Sequence, residues 1–140
     1  SSWYGAYSIP DPVFERSLAD AVTRLLSYDL RIWLVIDTPN GRQFDPIVEY
    51  EKDPHAPRFG TLAQASYRER SERELTLFRR IAGDDRRINI IDPSIALCGR
   101  TECAGGKDSA VWYRDDDHLT NAGAQAARAQ FEPIFEERRR

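Results

Sequence analysis

The apolar positions near the start of the chain follow the spacing of one helix face. Asp11 and Pro12 supply an N-cap and a first helical position, and apolar residues then recur every three or four positions. This face consists of Phe14, Leu18, Ala21, Val22, Leu25 and Leu26. The pattern predicts a helix that begins at Pro12 and ends between Ser27 and Asp29.

Two short apolar runs have the character of buried strands. Arg31–Asp37 (RIWLVID) is rich in branched residues, and Ile88–Ile91 (INII) has the same character. Such runs are typical of parallel strands, which are covered on both faces. Ser2–Tyr7 (SWYGAY) and Val111–Tyr113 are two further strand predictions.

A second helix is predicted between the two apolar runs. Thr61 and Gln64 fit a capping box, after which the chain has a charged, solvated middle (YRERSERE) and an apolar end before Gly83. The apolar end consists of Leu75, Leu77, Phe78, Ile81 and Ala82. Residues 41–60 contain three prolines and are predicted to be an irregular connection.

A last helix follows a loop near the end of the chain. Thr120 is a natural N-cap for a helix that begins at Asn121, with Ala124, Ala127 and Phe131 on one side. A break is expected just before Pro133, because proline inside a helix costs about 3 kcal/mol.

The alternation of strands and helices predicts an α/β fold class, with a short parallel sheet in a three-layer α/β/α arrangement. At 140 residues the chain has the length of one domain with its own core, so residues 1–140 are predicted to form a single domain.

The composition narrows the function classes. Hydrophobic residues make up 41% and charged residues 31% of the chain, which is ordinary for a globular protein. The net charge of -3 argues against a nucleic-acid partner, because such proteins usually carry a basic excess. No apolar run approaches the roughly 20 residues of a membrane span, and no secretory signal is present. Because the chain starts at Ser1 and has no Met, it is expected to be a processed product or a fragment.

The two cysteines, Cys98 and Cys103, lie in the segment CGRTEC. Their spacing differs from the redox or zinc-binding C-x-x-C pattern. A local disulfide is expected, since a short turn brings two Cα atoms within bonding range, and it indicates an oxidising compartment such as the periplasm. Two free thiols in the cytosol are the alternative, and a zinc site that adds His118 lacks a fourth ligand.

The segment YRDDDHLTNAGA places three carboxylates next to one of the two histidines. In Asp115-x-x-His118 the two side chains fall on the same side of a turn, so a carboxylate can hold one imidazole nitrogen and leave the other as a base. Asp116 or Asp117 could take the acid role instead, and otherwise these two are solvated residues. Arg114 is a candidate ion-pair partner. The alternative is a divalent-cation site made by the three aspartates and the histidine.

A resemblance sharpens this prediction. The segment DPSIALC…C…VWYRDDDHLTNAGA, within Asp92–Phe131, resembles the last block of SGNH-type serine hydrolases. It is most similar to the SGNH domain fused behind the acyltransferase-three membrane domain in bacterial O-acetylases of surface polysaccharides. The resemblance implies a flavodoxin-like SGNH fold, with Asp115 as the acid of the catalytic triad and His118 as its general base.

The sequence departs from the family pattern at the nucleophile. No Gly-Asp-Ser string occurs, and the nearest one, Lys107-Asp108-Ser109, lies in the late loop. The opening SSWYGAY resembles the strand that follows the early blocks of the family. The chain is therefore expected to be the C-terminal part of such a domain, cut after the nucleophile, and to expose apolar surface where the missing strand packed.

The resemblance implies O-acyl (acetyl) transfer, or ester hydrolysis, on bacterial cell-surface polysaccharide, with this chain supplying the Asp/His part. The implied partners are an acyl donor and a sugar acceptor, no cofactor is expected in this chain, and the parent is expected to be tethered to the periplasmic face of the inner membrane. The alternative is a non-catalytic glycan-binding or scaffold domain on the same frame.

Other polar and aromatic residues are secondary candidates. Asn40 could donate to the site, although Pro-Asn-Gly is first a turn signal. His55 is expected to be a solvated loop residue. Trp3, Tyr4 and Tyr7 could stack on sugar rings or belong to the core.

Overall fold

A computed structural model of the chain describes residues 12–55 and 59–136. The predicted strand at Ser2–Tyr7 and the predicted cap at Asp11 lie outside these ranges, as do the stacking candidates among residues 3–7. The chain divides into two compact units. Unit 1 comprises Ser1–Ile36 and Glu69–Ile91, and unit 2 comprises Asp37–Arg68 and Asp92–Arg140.

The described ranges contain helices and short strands in mixed order. The helices are α1 (Pro12–Leu26), α2 (Pro46–Lys52), α3 (Gln64–Ala82), α4 (Ser94–Leu97), α5 (Asn121–Ala127) and α6 (Glu132–Glu136), with 3₁₀ turns at Arg42–Phe44 and Arg128–Gln130. The strands are β1 (Ile32–Val35), β2 (Thr61–Ala63), β3 (Ile88–Ile91), β4 (Glu102–Ala104), β5 (Gly106–Lys107) and β6 (Ala110–Val111). None of the helices in these ranges combines the length and the apolar character that crossing a lipid bilayer requires.

Unit 1 is built around the parallel pair β1–β3. Ile32 lies opposite Ile88 and Val35 opposite Ile91, and the Ile36 N–H extends the ladder to the Ile91 carbonyl at 2.8 Å. Because side chains alternate along a strand, one sheet face carries branched aliphatic residues that pack against α1 and α3. The buried core consists of Val22, Ile32, Leu34, Ile36, Leu77, Phe78 and Ile88. The predicted α/β class and short parallel sheet are confirmed.

The apolar stripe of α1 is narrower than predicted. Val22 is buried, and Leu18 and Leu26 pack beside it, one turn away on either side. Phe14 and Leu25 are instead exposed, and the sheet in the described ranges has two strands. That unit 1 exposes apolar surface where a missing strand packed stays a prediction. The large exposed apolar side chains of unit 1 are Val13, Phe14, Leu25, Tyr28, Leu30 and Val35.

The turn from α3 to β3 is closed by a bidentate pair. Arg87 donates from Nε to Asp85 Oδ1 at 3.1 Å and from Nη2 to Asp85 Oδ2 at 2.7 Å, and its Nη1 donates to the Leu26 carbonyl at the end of α1. This side-chain bond is the main reason that the pKa of Asp85 is lowered to about 2.

Unit 2 has an aromatic core instead of an aliphatic one. Its core cluster consists of the buried residues Phe44, Tyr67, Cys103 and Tyr113, with Leu62, Cys98, Trp112 and Leu119 packed against them. The rings of Phe44 and Tyr113 stack with their centroids 4.5 Å apart. The expected disulfide joins Cys98 and Cys103, whose Cα atoms are 3.8 Å apart.

Two predictions for residues 41–64 are wrong. The connection is not irregular, because Asp45 caps α2 by accepting a hydrogen bond from the Ile47 N–H at 2.9 Å, and Pro46 occupies its first turn. Thr61 does not begin a capping box. Residues 61–63 form β2, which pairs antiparallel with β4, and the Gln64 N–H at the start of α3 donates to the Thr101 carbonyl.

The last helix begins as predicted, and its buried face includes Ala127 as predicted, with Gly123 in place of Ala124. Thr120 Oγ1 accepts a hydrogen bond from the Gly123 N–H at 3.2 Å, as an N-cap does. The buried positions of α5 are Gly123 and Ala127, whereas Ala124 is exposed. A Cβ atom on Gly123 would lie 2.2 Å from the Trp112 carbonyl oxygen, so the close approach of α5 to the preceding loop requires glycine. The break predicted before Pro133 is confirmed, because a 3₁₀ turn separates α5 from α6.

Candidate active site

The candidate site lies on one tight loop of unit 2, the aspartate–histidine turn (residues 114–118). The turn is closed by an antiparallel bridge between Tyr113 and Leu119, the residues directly before and after it. The Arg114 N–H then donates to the His118 carbonyl at 3.0 Å. These bonds make the turn the tip of a small hairpin, directly ahead of α5.

Asp115 holds the turn in shape. Its Oδ1 accepts the backbone N–H of His118 at 2.7 Å and that of Asp117 at 3.2 Å. Partial burial of the carboxyl group opposes its ionisation, but these backbone hydrogen bonds outweigh that effect and lower the pKa of Asp115 to about 2. The carboxylate is therefore ionised at neutral pH. Arg114 Nε lies 3.4 Å from Asp115 Oδ2, so of the two possibilities, an ion-pair partner or a plain exposed arginine, the structure shows the ion pair.

The structure brings the imidazole of His118 onto this carboxylate. Nδ1 lies 3.0 Å from Asp115 Oδ1 and 3.1 Å from Oδ2. The side chain is 60% exposed, and Nε2 makes no hydrogen bond to any residue of 12–55 or 59–136. An imidazole held in this way at Nδ1 presents Nε2 as a proton acceptor.

Asp117 also reaches the imidazole, a contact that was left open by the sequence. Its Oδ1 is 2.6 Å from His118 Nδ1, but this contact is an ion-pair approach, because the hydrogen bonds of Nδ1 within the described ranges are to the two oxygens of Asp115. The pKa of Asp117 is raised, first by desolvation and then by its hydrogen bond with Asp115, while the charge of His118 acts in the opposite direction. The interpretation of Asp117 as a simply solvated residue is therefore incomplete.

The same three side chains meet a distance condition for metal binding. One potential ligand atom each from Asp115, Asp117 and His118 lies within 4.8 Å of the others. Exposed acidic groups often cluster in this way without an ion, so the spacing alone does not identify metal ligands. The divalent-cation alternative stays a prediction.

The segment of residues 37–41 is hydrogen-bonded to the turn. The Gly41 N–H donates to the Asp116 carbonyl at 2.8 Å. Gly41 has a φ of 151°, a conformation that other residues rarely adopt. The glycine of the predicted Pro-Asn-Gly turn thus permits the backbone conformation at the residue that bonds to Asp116. Asn40 donates from Nδ2 to Asp37 Oδ2 at 2.8 Å, and Tyr67 Oη donates to the Asp37 carbonyl at 2.9 Å. Asn40 thus helps to shape this segment, and its candidate role as a donor to the site stays a prediction.

The aromatic core of unit 2 includes the residue that directly precedes the turn. Tyr113 is fully buried directly before the turn, and it stacks on Phe44. Its hydroxyl group has no hydrogen-bond partner among the described residues. Burial raises the pKa of Tyr113, and the nearby Thr38 opposes this rise. The complete burial of Tyr113 beside the turn was not predicted from the sequence, where the residue appeared only as part of a predicted strand.

The other candidates lie elsewhere on unit 2. His55 is exposed in the turn after α2, and its backbone N–H donates to Asp53 Oδ1. Lys107-Asp108-Ser109 forms the exposed tip of the β5–β6 hairpin. That this string is not the family's nucleophile block stays a prediction.

Comparison with known proteins agrees with this geometry. No curated protein and no solved structure gives a significant match to the chain. A family model described as "SGNH domain (fused to AT3 domains)" matches residues 2–133, nearly the whole chain, including all of the aspartate–histidine turn. The chain therefore belongs to the family of SGNH domains that are fused to AT3 domains.

Proposed function

We propose that this chain supplies the acid–base half of a Ser-His-Asp site that transfers acyl groups. The single observation that carries the proposal is the His118 imidazole, held through Nδ1 by a carboxylate and open to solvent at Nε2, in a chain of this family. The acyl group is of the acetyl type, and the acceptor is a hydroxyl group of a bacterial surface polysaccharide, or water.

In the proposed reaction, His118 Nε2 takes the proton from a serine hydroxyl as the serine oxygen attacks the acyl carbonyl. The imidazolium then gives this proton to the leaving group of the donor, and an acyl-serine remains. His118 next takes the proton from the acceptor hydroxyl, which attacks the acyl-serine, and returns it to the serine oxygen. Asp115 stabilises the imidazolium in both halves without taking the proton itself.

The serine is proposed to come from a part of the protein outside this chain, because no Gly-Asp-Ser string occurs within it. The fusion to AT3 domains in the family supports a parent protein with a membrane acyltransferase domain. In such a parent the membrane domain would deliver the acyl donor, and this domain would face the periplasm. The disulfide agrees with an oxidising compartment of that kind.

A second candidate is favoured by the same missing string. A domain without its own nucleophile would act as a glycan-binding or scaffold module on the SGNH frame. The two candidates differ in one consequence, because only the catalytic one needs the imidazole of His118.

The test compares two histidine variants of the protein encoded by the complete gene. His118→Ala and His55→Ala both remove an exposed imidazole from unit 2, and only the first removes the proposed base. The measurement is the O-acetyl content of the surface polysaccharide in cells that carry each variant, with protein levels matched by immunoblot.

The proposal expects His118→Ala to abolish O-acetylation and His55→Ala to leave it at the wild-type level. Near-normal O-acetylation with a folded His118→Ala protein would overturn it and favour the binding module. A wild-type protein that adds no acyl group to any surface polysaccharide would also count against it.

A further inference from the structure

The outer edge of β1 has no strand beside it within the described ranges, where the sheet of unit 1 consists of β1 and β3. The Ile36 N–H donates to the Ile91 carbonyl, on the side of β3. Backbone groups alternate in direction along a strand, so the N–H and carbonyl groups of Trp33 and Val35 point away from β3. These four groups form an edge that can accept a further strand.

The sequence of β1 is that of an inner strand. Five consecutive apolar residues, Ile32–Ile36 (IWLVI), run through it without a charge or a proline. Edge strands usually carry such residues, because an open edge pairs readily with other chains. Near-continuous apolar runs are instead typical of parallel strands that are covered on both faces. The other strand of the pair, β3, is interrupted by Asn89. The edge of β1 is therefore the better candidate for an additional neighbour.

The two long helices of unit 1 indicate where in the chain such a neighbour belongs. Both α1 and α3 pack against the sheet face that carries Ile32, Leu34 and Ile88, and together they line one groove. α3 lies in the crossover from β1 to β3, and crossovers between parallel strands are right-handed in about 98% of cases. Two right-handed crossovers with their helices on the same face step across the sheet in the same direction. Because α1 leads into β1, a parallel strand ahead of α1 would pair with β1 on the edge away from β3.

We infer that the outer edge of β1 is the docking site for a parallel strand from a part of the protein outside this chain, ahead of α1 in chain order. The inference rests on the proposed function, in which the part outside this chain also carries the serine. The expected occupant is a run of about five branched apolar residues, because it would lie beside an inner-type strand. It would form main-chain hydrogen bonds with Trp33 and Val35. Val35, which is 41% exposed, marks the apolar surface beside this edge.

The test is amide hydrogen exchange, resolved to single residues by mass spectrometry. It compares the 140-residue chain with the protein encoded by the complete gene. The amides of Trp33 and Val35 report the outer edge of β1. The amide of Leu34 is the control within the same strand, because it points towards β3 in both proteins.

In the 140-residue chain, the amides of Trp33 and Val35 should exchange at least about 10-fold faster than that of Leu34, because water reaches an open edge. In the complete protein, all three amides should exchange at a similar, slow rate. The complete protein with His118→Ala should show the same protection, although the proposed function expects it to lose acyl transfer. Failure of the docking inference is thus distinguishable from failure of the proposed function.

Fast exchange of Trp33 and Val35 in the complete protein, with Leu34 protected, would overturn the inference. Protection of both amides in the 140-residue chain at every protein concentration would assign the edge to residues of the chain itself. Protection that grows with the concentration of the chain would assign it to a second copy. Either of these two outcomes would also overturn the inference.

Discussion

The two units of the chain differ in the side chains that form their buried cores. Unit 1 buries aliphatic side chains between two parallel strands and two helices. Unit 2 buries aromatic rings and a disulfide beneath loops and short strands, and it carries the aspartate–histidine turn. Regular elements satisfy their own backbone, whereas the turn must have each backbone group satisfied by a particular partner. The stacked rings and the disulfide belong to the core cluster that contains Tyr113, the residue directly before the turn.

The largest loss of stability is expected from substitutions in the two cores. Phe44→Ala should lower the free energy of unfolding by about 3–5 kcal/mol, because it removes a fully buried ring that stacks on Tyr113. Leu34→Ala in unit 1 should cost about 2–5 kcal/mol. Urea denaturation measures both, and the His118 signals should change in the first variant far more than in the second. Equal changes would show that the aromatic core is not the particular support of the turn.

Loss of the disulfide is expected to have the next largest effect. Closing so short a loop contributes about 2 kcal/mol on the chain-entropy model, so the double variant Cys98→Ser, Cys103→Ser should be less stable by about that amount. Reduction of the wild-type chain by dithiothreitol is the matched control, and it should give a similar loss in urea denaturation. No change in either experiment would mean that the aromatic rings alone stabilise unit 2.

The cap of α5 is a smaller contribution. Thr120 Oγ1 accepts the Gly123 N–H at 3.2 Å and donates to the Val111 carbonyl at 2.8 Å. Thr120→Ala should destabilise the chain by about 1 kcal/mol, as loss of an N-cap does, and Thr120→Ser should retain most of the stability. A serine variant as unstable as the alanine variant would indicate that the methyl group matters, and not the hydroxyl.

The smallest expected effect is a difference in salt dependence between two aspartates that have a similarly low pKa. Asp115 and Asp85 both have a pKa of about 2, below the ordinary value of about 3.9. Because the folded pKa is depressed, the stabilisation from each is complete above pH 4 and is lost as the pH falls towards 2. Asp115 accepts two backbone N–H groups, whereas Asp85 accepts hydrogen bonds mainly from the charged side chain of Arg87 and also from its backbone N–H. The transition of Asp85 should therefore respond more strongly to salt than that of Asp115. Amide chemical shifts of His118 and Arg87, followed from pH 5 to pH 1.5 at low and high salt, provide the measurement, and an equal salt dependence of the two would contradict this distinction.

Much of unit 1 was predictable because its signals are local. The apolar runs that became β1 and β3 are short, branched and bounded by turns, and the two strands pair in parallel as such runs predict. The start of α1 at Pro12 and its end at Leu26 follow from proline and from the end of the apolar periodicity. The exposed position of Phe14 did not follow, because the width of the stripe depends on how much sheet lies beneath it.

Unit 2 was less predictable, since its order depends on distant partners. Thr61 and Gln64 have the residues of a capping box, but pairing of β2 with β4, which is far along the chain, overrides that local pattern. Asp45-Pro46 carries the same helix-start signal as Asp11-Pro12, and α2 was missed because it lies among prolines. In the site, the spacing of Asp115 and His118 predicted their proximity, whereas the direction of the Asp117 side chain depends on backbone bonds that a sequence does not display.

The most direct test of the central claim is labelling of the complete protein with a fluorophosphonate, which reacts with a serine only when a base activates it. If His118 is the general base, the wild type and His55→Ala are labelled on a serine, and His118→Ala, with its fold intact by circular dichroism, is not. Equal labelling of His118→Ala and the wild type, or a wild type that does not react, would contradict the role of His118 as the general base.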